Sequence, residues 1–480
     1  MRQKHNGRST ANRSLLLIVY LTIGLFLCMI ASLLYFVLAK APDVIGNPYN
    51  PRDKLLAERY VRGEIRSRDG EVLAKTERAA DGTETRVYPY GSLFSHVTGY
   101  SARGKTGVES LANFYLLDSH LNVLEQAGNE LLGEKTLGDS VVLTLDSKLQ
   151  QTAASAMGSA KGAVIAMEPA TGRILCSYAS PGFDPNSIAA DWDALNAGGS
   201  EEGPLVNRAA QGLYPPGSTF KILTLLAYVH EHPTDWQTSF SYDCDGSYED
   251  AEGNVIRCFG GERHGVQNLE QAFVNSCNGA FAKLGAELPP EKLQELAENL
   301  LFNQALPFPL PYSRSRYSGA SGDSLFVREL TAIGQGNTLM TPLHNLLLTA
   351  AIANNGVLMR PMVLDRLENA AGETVRSFHE KTEKRLLSEE DAALLQRLMR
   401  GVVTEGTASK LRTDAYSAAA KTGSAEYEDG KKTYAWCVAF APEEAPEIAV
   451  AVVVEDGKSG GQTAAPVVRA VLDDWLLRSK

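Results

Sequence analysis

From Ser14 to Ala39 the chain runs without a single charged residue, and its centre reads LLLIVYLTIGLFLCMIASLLYFVLA. A helix rising about 1.5 Å per residue over that length crosses a ~30 Å hydrocarbon layer with some tilt. A cleaved secretory leader is the rival reading, and Ala39-Lys40-Ala41 offers a small-residue site for it. Leader cores, however, run to only about 7–15 apolar residues, so the run is read as an uncleaved anchor. Arg2, Lys4, Arg8 and Arg13 precede it with no acid among them. That bias predicts a cytoplasmic tail over 1–13, an anchor over 14–39, and everything beyond it outside the membrane.

The rest of the 480 residues exceeds one ordinary core, so more than one domain is expected. A formal net charge of -11 repels nucleic acid and excludes a nucleic-acid partner. Residues 40–60 are polar and contain proline, as a linker would. In GEIRSRDGEVLAKT two strand-like runs meet at Asp69-Gly70, a hairpin signal. Helical patterns follow over 107–132, and VVLTLD then leads as a strand into the helical SKLQQTAASAMG. These features predict a small β-rich N-terminal domain over 61–159 and a second domain over 160–480.

In the second domain GAVIAMEPATGRILCSYAS reads as a hairpin turning at Pro169–Gly172. AYSAAAKTGSAEY, TYAWCVAFAP and EIAVAVVVED supply three more strands near the C-terminus. Between the two groups lie mainly helical segments, among them TPLHNLLLTAAIANNG with Gly356 placed to cap it. AAPVVRAVLDDWLL forms a last amphipathic helix. Strands at both ends with helices between them predict an α+β fold, a five-stranded antiparallel sheet flanked by helices.

The chemistry begins in YPPGSTFKILT (214–224). Pro-Pro-Gly cannot continue a helix and the apolar run after it can begin one, which puts Ser218 at a helix N-terminus. There, free N–H groups favour developing negative charge. Lys221, three residues on, shares the face of Ser218. A serine becomes a nucleophile when a neighbour takes its proton, and a lysine can do so once burial or a second cation lowers its pKa. Alone, such a pair is more often an N-cap serine beside a solvated lysine. Ser276-Cys277-Asn278, ending a helical segment, and Lys421-Thr422-Gly423, in a strand-like run, change that reading. The trio SxxK, S-x-N and KTG marks the serine acyltransferases that react with penicillin.

On these motifs the chain resembles the class B penicillin-binding proteins, and within them the compact penicillin-binding protein A group. The likeness extends through RGEIRSRDGEVLA (62–74), GKTGVE (104–109), LTLDSKLQ (143–150), GAVIAMEPATGRILCSYASPGFDPN (162–186), NRAAQGLYPPGSTFK (207–221), HG (264–265), GQG with TPLH (334–344) and AAAKTGSAE (418–426). One departure is Cys277, where the common motif has Asp. The resemblance implies a pedestal or dimerisation-like domain over 61–159 and a transpeptidase domain over 160–480. It also implies a membrane-anchored peptidoglycan D,D-transpeptidase acting on D-Ala-D-Ala stem peptides and acylated by β-lactams. Ser218 would be the nucleophile and Lys221 its base, with Ser276 and Asn278 relaying a proton and holding Lys221. Lys421, Thr422 and Ser424 would receive the terminal carboxylate, Gly423 allowing close approach. The implied partner is a membrane glycosyltransferase of the shape, elongation, division and sporulation family. No cofactor and no metal are implied.

Several other readings are set aside. GYSARGKT (99–106) satisfies a P-loop expression, but the preceding SLFSHVT is half polar and Gly107 falls where a helix should start. His230 and His232 flank Glu231 without a third ligand at metal-site spacing. Cys244 and Cys258 enclose a polar, turn-rich segment and could close it as a disulfide or stand as two buried thiols. A serine β-lactamase would need a glutamate to activate water, and LPFPLPYSRSRYSG after the SCN motif offers none. A β-lactam receptor would need more than the short tail. A scaffold that activates a glycosyltransferase is compatible with a working site.

Overall fold

A computed structural model describes residues 6–36, 52–197, 203–427 and 432–478, which fall into two compact units, 1–59 and 60–480. In the first unit Asn6–Tyr35 is one helix. Its stretch Leu15–Tyr35 has a mean hydropathy of 2.6 and is not buried at all, so it is long and apolar enough to cross a membrane. Of the expected linker, 40–51 lies outside the described residues, while Arg52–Arg59 is helical rather than irregular.

The second unit is built on a five-stranded sheet: β1 (Gly162–Met167), β2 (Ile174–Ser180), β3 (Ala419–Tyr427), β4 (Lys432–Ala441) and β5 (Ile448–Val454). The order is β3-β4-β5-β1-β2 and every pairing is antiparallel. All five runs were legible because β-branched and small apolar residues crowd them. The central strand β5, IAVAVVV, is buried at every position, as a strand covered on both faces must be. Five helices matter here: α1 (Ser147–Met157), α2 (Lys221–Glu231), α3 (Asn278–Glu287), α4 (Pro342–Ala353) and α5 (Ala465–Leu477). α1 and α5 pack on each other and on the sheet, and α4 packs on β1, β4 and β5 from the other side. Every residue of α4 is buried, which explains its mainly apolar sequence, and its polar residues His344, Asn345 and Thr349 are each hydrogen-bonded. Thr341 caps its start by accepting from the His344 N–H, and Gly356 donates to the Ala351 carbonyl beyond its end.

The expected boundary near 160 is not a clean one. A six-stranded sheet runs in the order Thr374–Ser377, Leu364–Glu368, Ser140–Leu143, Ile65–Arg66, Val72–Arg78, Glu84–Val87. The hairpin at 364–377 thus belongs to the N-terminal sheet, although it lies deep within the second half of the chain. Its pairing partner, Ser140–Leu143, offers an edge that no residue before 160 covers. The hairpin at Asp69-Gly70 forms with Ile65 opposite Ala74.

Beneath that sheet Glu109, fully buried, is held between two arginines. Arg62 Nε donates to its Oε2 at 2.6 Å and Arg86 Nε to its Oε1 at 2.7 Å. The Tyr88 hydroxyl adds a third bond at 3.1 Å. Burial pushes this carboxyl up, but the charges and hydrogen bonds of Arg62 and Arg86 together bring it below its ordinary value. The P-loop-like run 99–106 turns between two short helices, Ser95–Thr98 and Gly107–Leu111. A helix does start at Gly107, against expectation. What rules out the nucleotide loop is that a helix, not a strand, precedes it.

Candidate active site

Ser218 sits in a short 3-10 turn, Gly217–Thr219, that leads directly into α2, whose first residue is Lys221. The turn is fixed from three sides. Gly217 N donates to the Gly334 carbonyl at 2.8 Å, Thr219 Oγ1 to the Pro216 carbonyl at 2.8 Å, and Trp436 Nε1 on β4 to the Pro215 carbonyl at 3.0 Å. Gly334, at φ +77°, lies so close that a Cβ there would stand 2.0 Å from the Gly217 oxygen, so only glycine fits the GQG turn. No side chain caps α2, so Ser218 is not spent as an N-cap. It is half-buried and faces a cleft of about 310 Å³.

The same cleft is lined by Ser276, Asn278, Thr422, Gly423 and Ser424. The sequence motif SCN occupies the turn between the helix Leu269–Val274 and α3, with Asn278 opening α3 rather than closing the earlier helix. Ser276 there takes φ +59°, a conformation that non-glycine residues adopt at a cost and that gathers at functional sites. KTG lies on the edge strand β3, with Gly423 opposite Trp436.

Lys221 and Lys421 form the floor, and both are 0% exposed. Lys221 Nζ donates to the Ser276 carbonyl and to Asn278 Oδ1, each at 2.7 Å. Lys421 Nζ donates to Ser276 Oγ at 2.9 Å and to the Thr422 carbonyl at 3.1 Å. One serine therefore links the two amines, through its carbonyl on one side and its hydroxyl on the other. Each amine also lies over an aromatic ring, Lys221 over Phe281 at 5.3 Å and Lys421 over Phe273 at 5.4 Å. Among the described residues neither lysine forms a salt bridge. Burial lowers Lys221 to about 8, against a smaller upward pull from the Cys277 and Cys258 sulfurs. Burial lowers Lys421 as well, and the neighbouring Lys221 charge lowers it further.

Two supports carried no recognisable spacing in the sequence. Thr407 and Thr422 share a hydrogen bond between hydroxyls at 2.5 Å, and Gly460 N donates to Ser424 Oγ at 3.2 Å. Thr407 comes from the turn GTA, and Gly460 opens the π-helical turn Gly460–Ala464 ahead of α5; neither segment has a composition that marks it.

Of the two readings open for the cysteines, the structure has the buried thiols. Cys244 and Cys258 are not bonded; their sulfurs stand 3.6 Å apart. Cys258 lies 3.7 Å from Cys277 Sγ, and Cys244 lies 3.3 Å from His264 Nδ1. These four donor atoms all fall within 4.8 Å of one another, a set able to hold a metal although their positions along the chain have no metal-site spacing. His230 and His232 take no part: His230 Nε2 pairs with Asp391 at 3.0 Å, and His232 stacks on Tyr228 at 4.3 Å.

A half-buried serine at the turn into α2, two buried amines and a bridging serine gather beside the edge strand of an antiparallel sheet. The family model for the penicillin-binding protein transpeptidase domain matches residues 162–473, and that for the penicillin-binding protein A dimerisation domain matches 62–141. The chain belongs to the penicillin-binding protein transpeptidases. It is 33% identical to the peptidoglycan D,D-transpeptidase PbpA of Mycolicibacterium smegmatis, over 90% of this chain and 92% of that one. The peptidoglycan D,D-transpeptidase MrdA of Acinetobacter baumannii is 31% identical over 82% of this chain, which spans 66% of that longer relative. Among solved structures, the ceftriaxone acyl-enzyme of penicillin-binding protein A from M. tuberculosis superposes with a TM-score of 0.78. It is 31% identical and the match covers 87% of this chain and 98% of that one.

Proposed function

We propose that the cleft crosslinks peptidoglycan stem peptides through an acyl-enzyme on Ser218, the chain being a serine-type D,D-transpeptidase. One observation carries the assignment of roles: Lys221 and Lys421, both buried without a carboxylate, meet on the two sides of Ser276. Ser218 Oγ attacks the carbonyl of the penultimate D-alanine, and its proton passes to the neutral Lys221 amine. Backbone N–H groups of Ser218 and Ser424 stabilise the oxyanion, each contributing about 3–4 kcal/mol in such sites. Ser276 Oγ relays a proton to the departing D-alanine, and Asn278 holds Lys221 in place. Lys421, with Thr422 and Ser424, receives the terminal carboxylate, whose charge offsets the cost of a buried cation, while burial favours the neutral form of Lys221. An amine of a second stem peptide then attacks the ester, forming the crosslink and releasing Ser218. A β-lactam enters by the same attack, its ring opening in place of the lost D-alanine.

The apolar N-terminal helix supports a single-pass anchor with the catalytic domain outside the membrane. A glycosyltransferase of the shape, elongation, division and sporulation family fits as the partner, reached through the anchor and the domain over 61–159; failure to co-purify with such a polymerase would remove it. For the reaction, incubation with labelled penicillin and mass mapping is expected to place one adduct on Ser218 and none in Ser218→Ala. An adduct on any other residue would overturn the assignment.

A further inference from the structure

The four donors that meet behind the SCN turn come from four separate places. Cys244 ends the strand Ser241–Cys244, Cys258 follows Val255–Arg257, His264 precedes Gly265–Asn268, and Cys277 caps α3. The first and third strands pair, with Cys244 opposite Gly265, and that pairing brings His264 beside Cys244. All three cysteines are at most 3% exposed, and the His264 side chain is 10% exposed.

The spacing of these atoms selects among their possible uses. A tetrahedral zinc with Zn–S of about 2.3 Å and Zn–N of about 2.0 Å sets its sulfurs ~3.8 Å apart and sulfur from nitrogen by ~3.5 Å. The observed separations are 3.6 and 3.7 Å between sulfurs and 3.3 Å from sulfur to nitrogen. A disulfide needs about 2.05 Å, and Cys258 stands equally far from two partners while it could bond only one. Three thiolates with one imidazole form a closed, soft donor set, which suits zinc and leaves no open position for a substrate. Supporting contacts fit as well. His264 turns its other nitrogen, Nε2, toward the Glu262 carboxylate at 3.7 Å, and Cys277 Sγ accepts the Ala280 N–H at 3.4 Å.

The cluster also touches the chemistry. Cys277 lies between Ser276 and Asn278, and Cys258 follows Arg257, whose carbonyl accepts from Asn278 Nδ2 at 2.9 Å. We propose that Cys244, Cys258, His264 and Cys277 bind one zinc ion, which holds Ser276 and Asn278 in the geometry that receives Lys221. The four are positioning residues: none lies between Ser218 and the two lysines. The departure from the common motif at Cys277 then has a reason, because an aspartate there would replace one of the three thiolates.

The test uses the full chain in detergent, purified under reducing conditions without added metal. Elemental analysis is expected to find one zinc per chain. Replacement by cobalt is expected to give a thiolate charge-transfer band in the near ultraviolet and the intense visible bands of a tetrahedral site. Cys258→Ser should weaken cobalt binding by about a hundredfold or more, with Cys176→Ala, a cysteine elsewhere in the core, unchanged. Stripping zinc with a chelator should slow penicillin acylation at least tenfold, and zinc should restore it. A metal-free protein with all its thiols titratable, or a disulfide among Cys244, Cys258 and Cys277 in the purified chain, would overturn the site. Zinc bound but acylation indifferent to its removal would overturn the positioning role. If Cys258→Ser does not fold, the zinc count and cobalt spectrum of the unaltered chain decide. Neither depends on the transpeptidase reaction, so failure here is distinguishable from failure of the catalytic reading.

Discussion

Two buried charge clusters in the same unit are built on opposite plans. Beneath the N-terminal sheet, on the helix Gly107–Leu111, Glu109 is fully enclosed, but two guanidiniums and a phenol answer its charge. In the cleft Lys221 and Lys421 are equally enclosed, and their partners are carbonyls, an amide and a hydroxyl, none of them charged. The first arrangement keeps its ion charged and locks strands together. The second makes the charged form of each lysine costly, as the proposed roles of proton acceptor and carboxylate binder require. Complete burial is common to both; the presence or absence of counter-charge separates a structural cluster from a reactive one.

That contrast can be broken by substitution. Removing the proton acceptor with Lys221→Ala should slow acylation by labelled penicillin about 10²–10⁴-fold, the usual range for a lost general base. The melting temperature should hold or rise, since a buried amine whose charged form has no counter-charge disappears with it. Glu109→Gln should do the reverse. It strands two buried guanidiniums and should cost about 3–5 kcal/mol in denaturant unfolding, while the folded fraction is acylated at the normal rate. A normal unfolding curve for Glu109→Gln, or a large loss of stability in Lys221→Ala, would erase the distinction.

The pH profile sharpens it further. Burial lowers Lys221 to about 8, and in the proposed role of base only its neutral form would accept the Ser218 proton. The acylation rate should therefore rise about tenfold per pH unit up to that value and level off above it, read by stopped-flow acylation from pH 6 to 9.5. A profile flat across pH 8 would assign the proton transfer elsewhere. The smallest effect belongs to an exposed pair: Arg397 and Glu270 meet at 2.6 Å with half of the arginine side chain in water. Arg397→Ala should change stability by no more than about 1 kcal/mol and acylation not at all, which sets the baseline for the other two clusters.

Much of this was legible in the chain. The five strands of the central sheet each have a short apolar run bounded by turn residues, and that signal is local. The span from Ser14 and the three motifs around Ser218, Ser276 and Lys421 were readable for the same reason. Other features had no local trace. The hairpin at 364–377 looks like any hairpin until Ser140–Leu143 takes it as a neighbour. Thr407, in a turn, and Gly460, at the start of a π-helical turn, support the cleft from segments of ordinary composition. The cysteines were legible only in part: Cys244 and Cys258 left a disulfide and two buried thiols both open, and His264 and Cys277 arrive only when two strands pair and a helix starts beside them.

The sequence by itself determined which groups were available: an apolar helix, alternating and fully apolar strands, and a hydroxyl and an amine three residues apart. Those depend on periodicity and chain stiffness, which act over a few residues. Only the tertiary structure decided that both lysines lie in the interior with no acid beside them, and that four sulfur and nitrogen atoms converge behind the reactive turn. Burial and counter-charge are properties of what the rest of the chain places around a group, and no short window of sequence contains that surrounding.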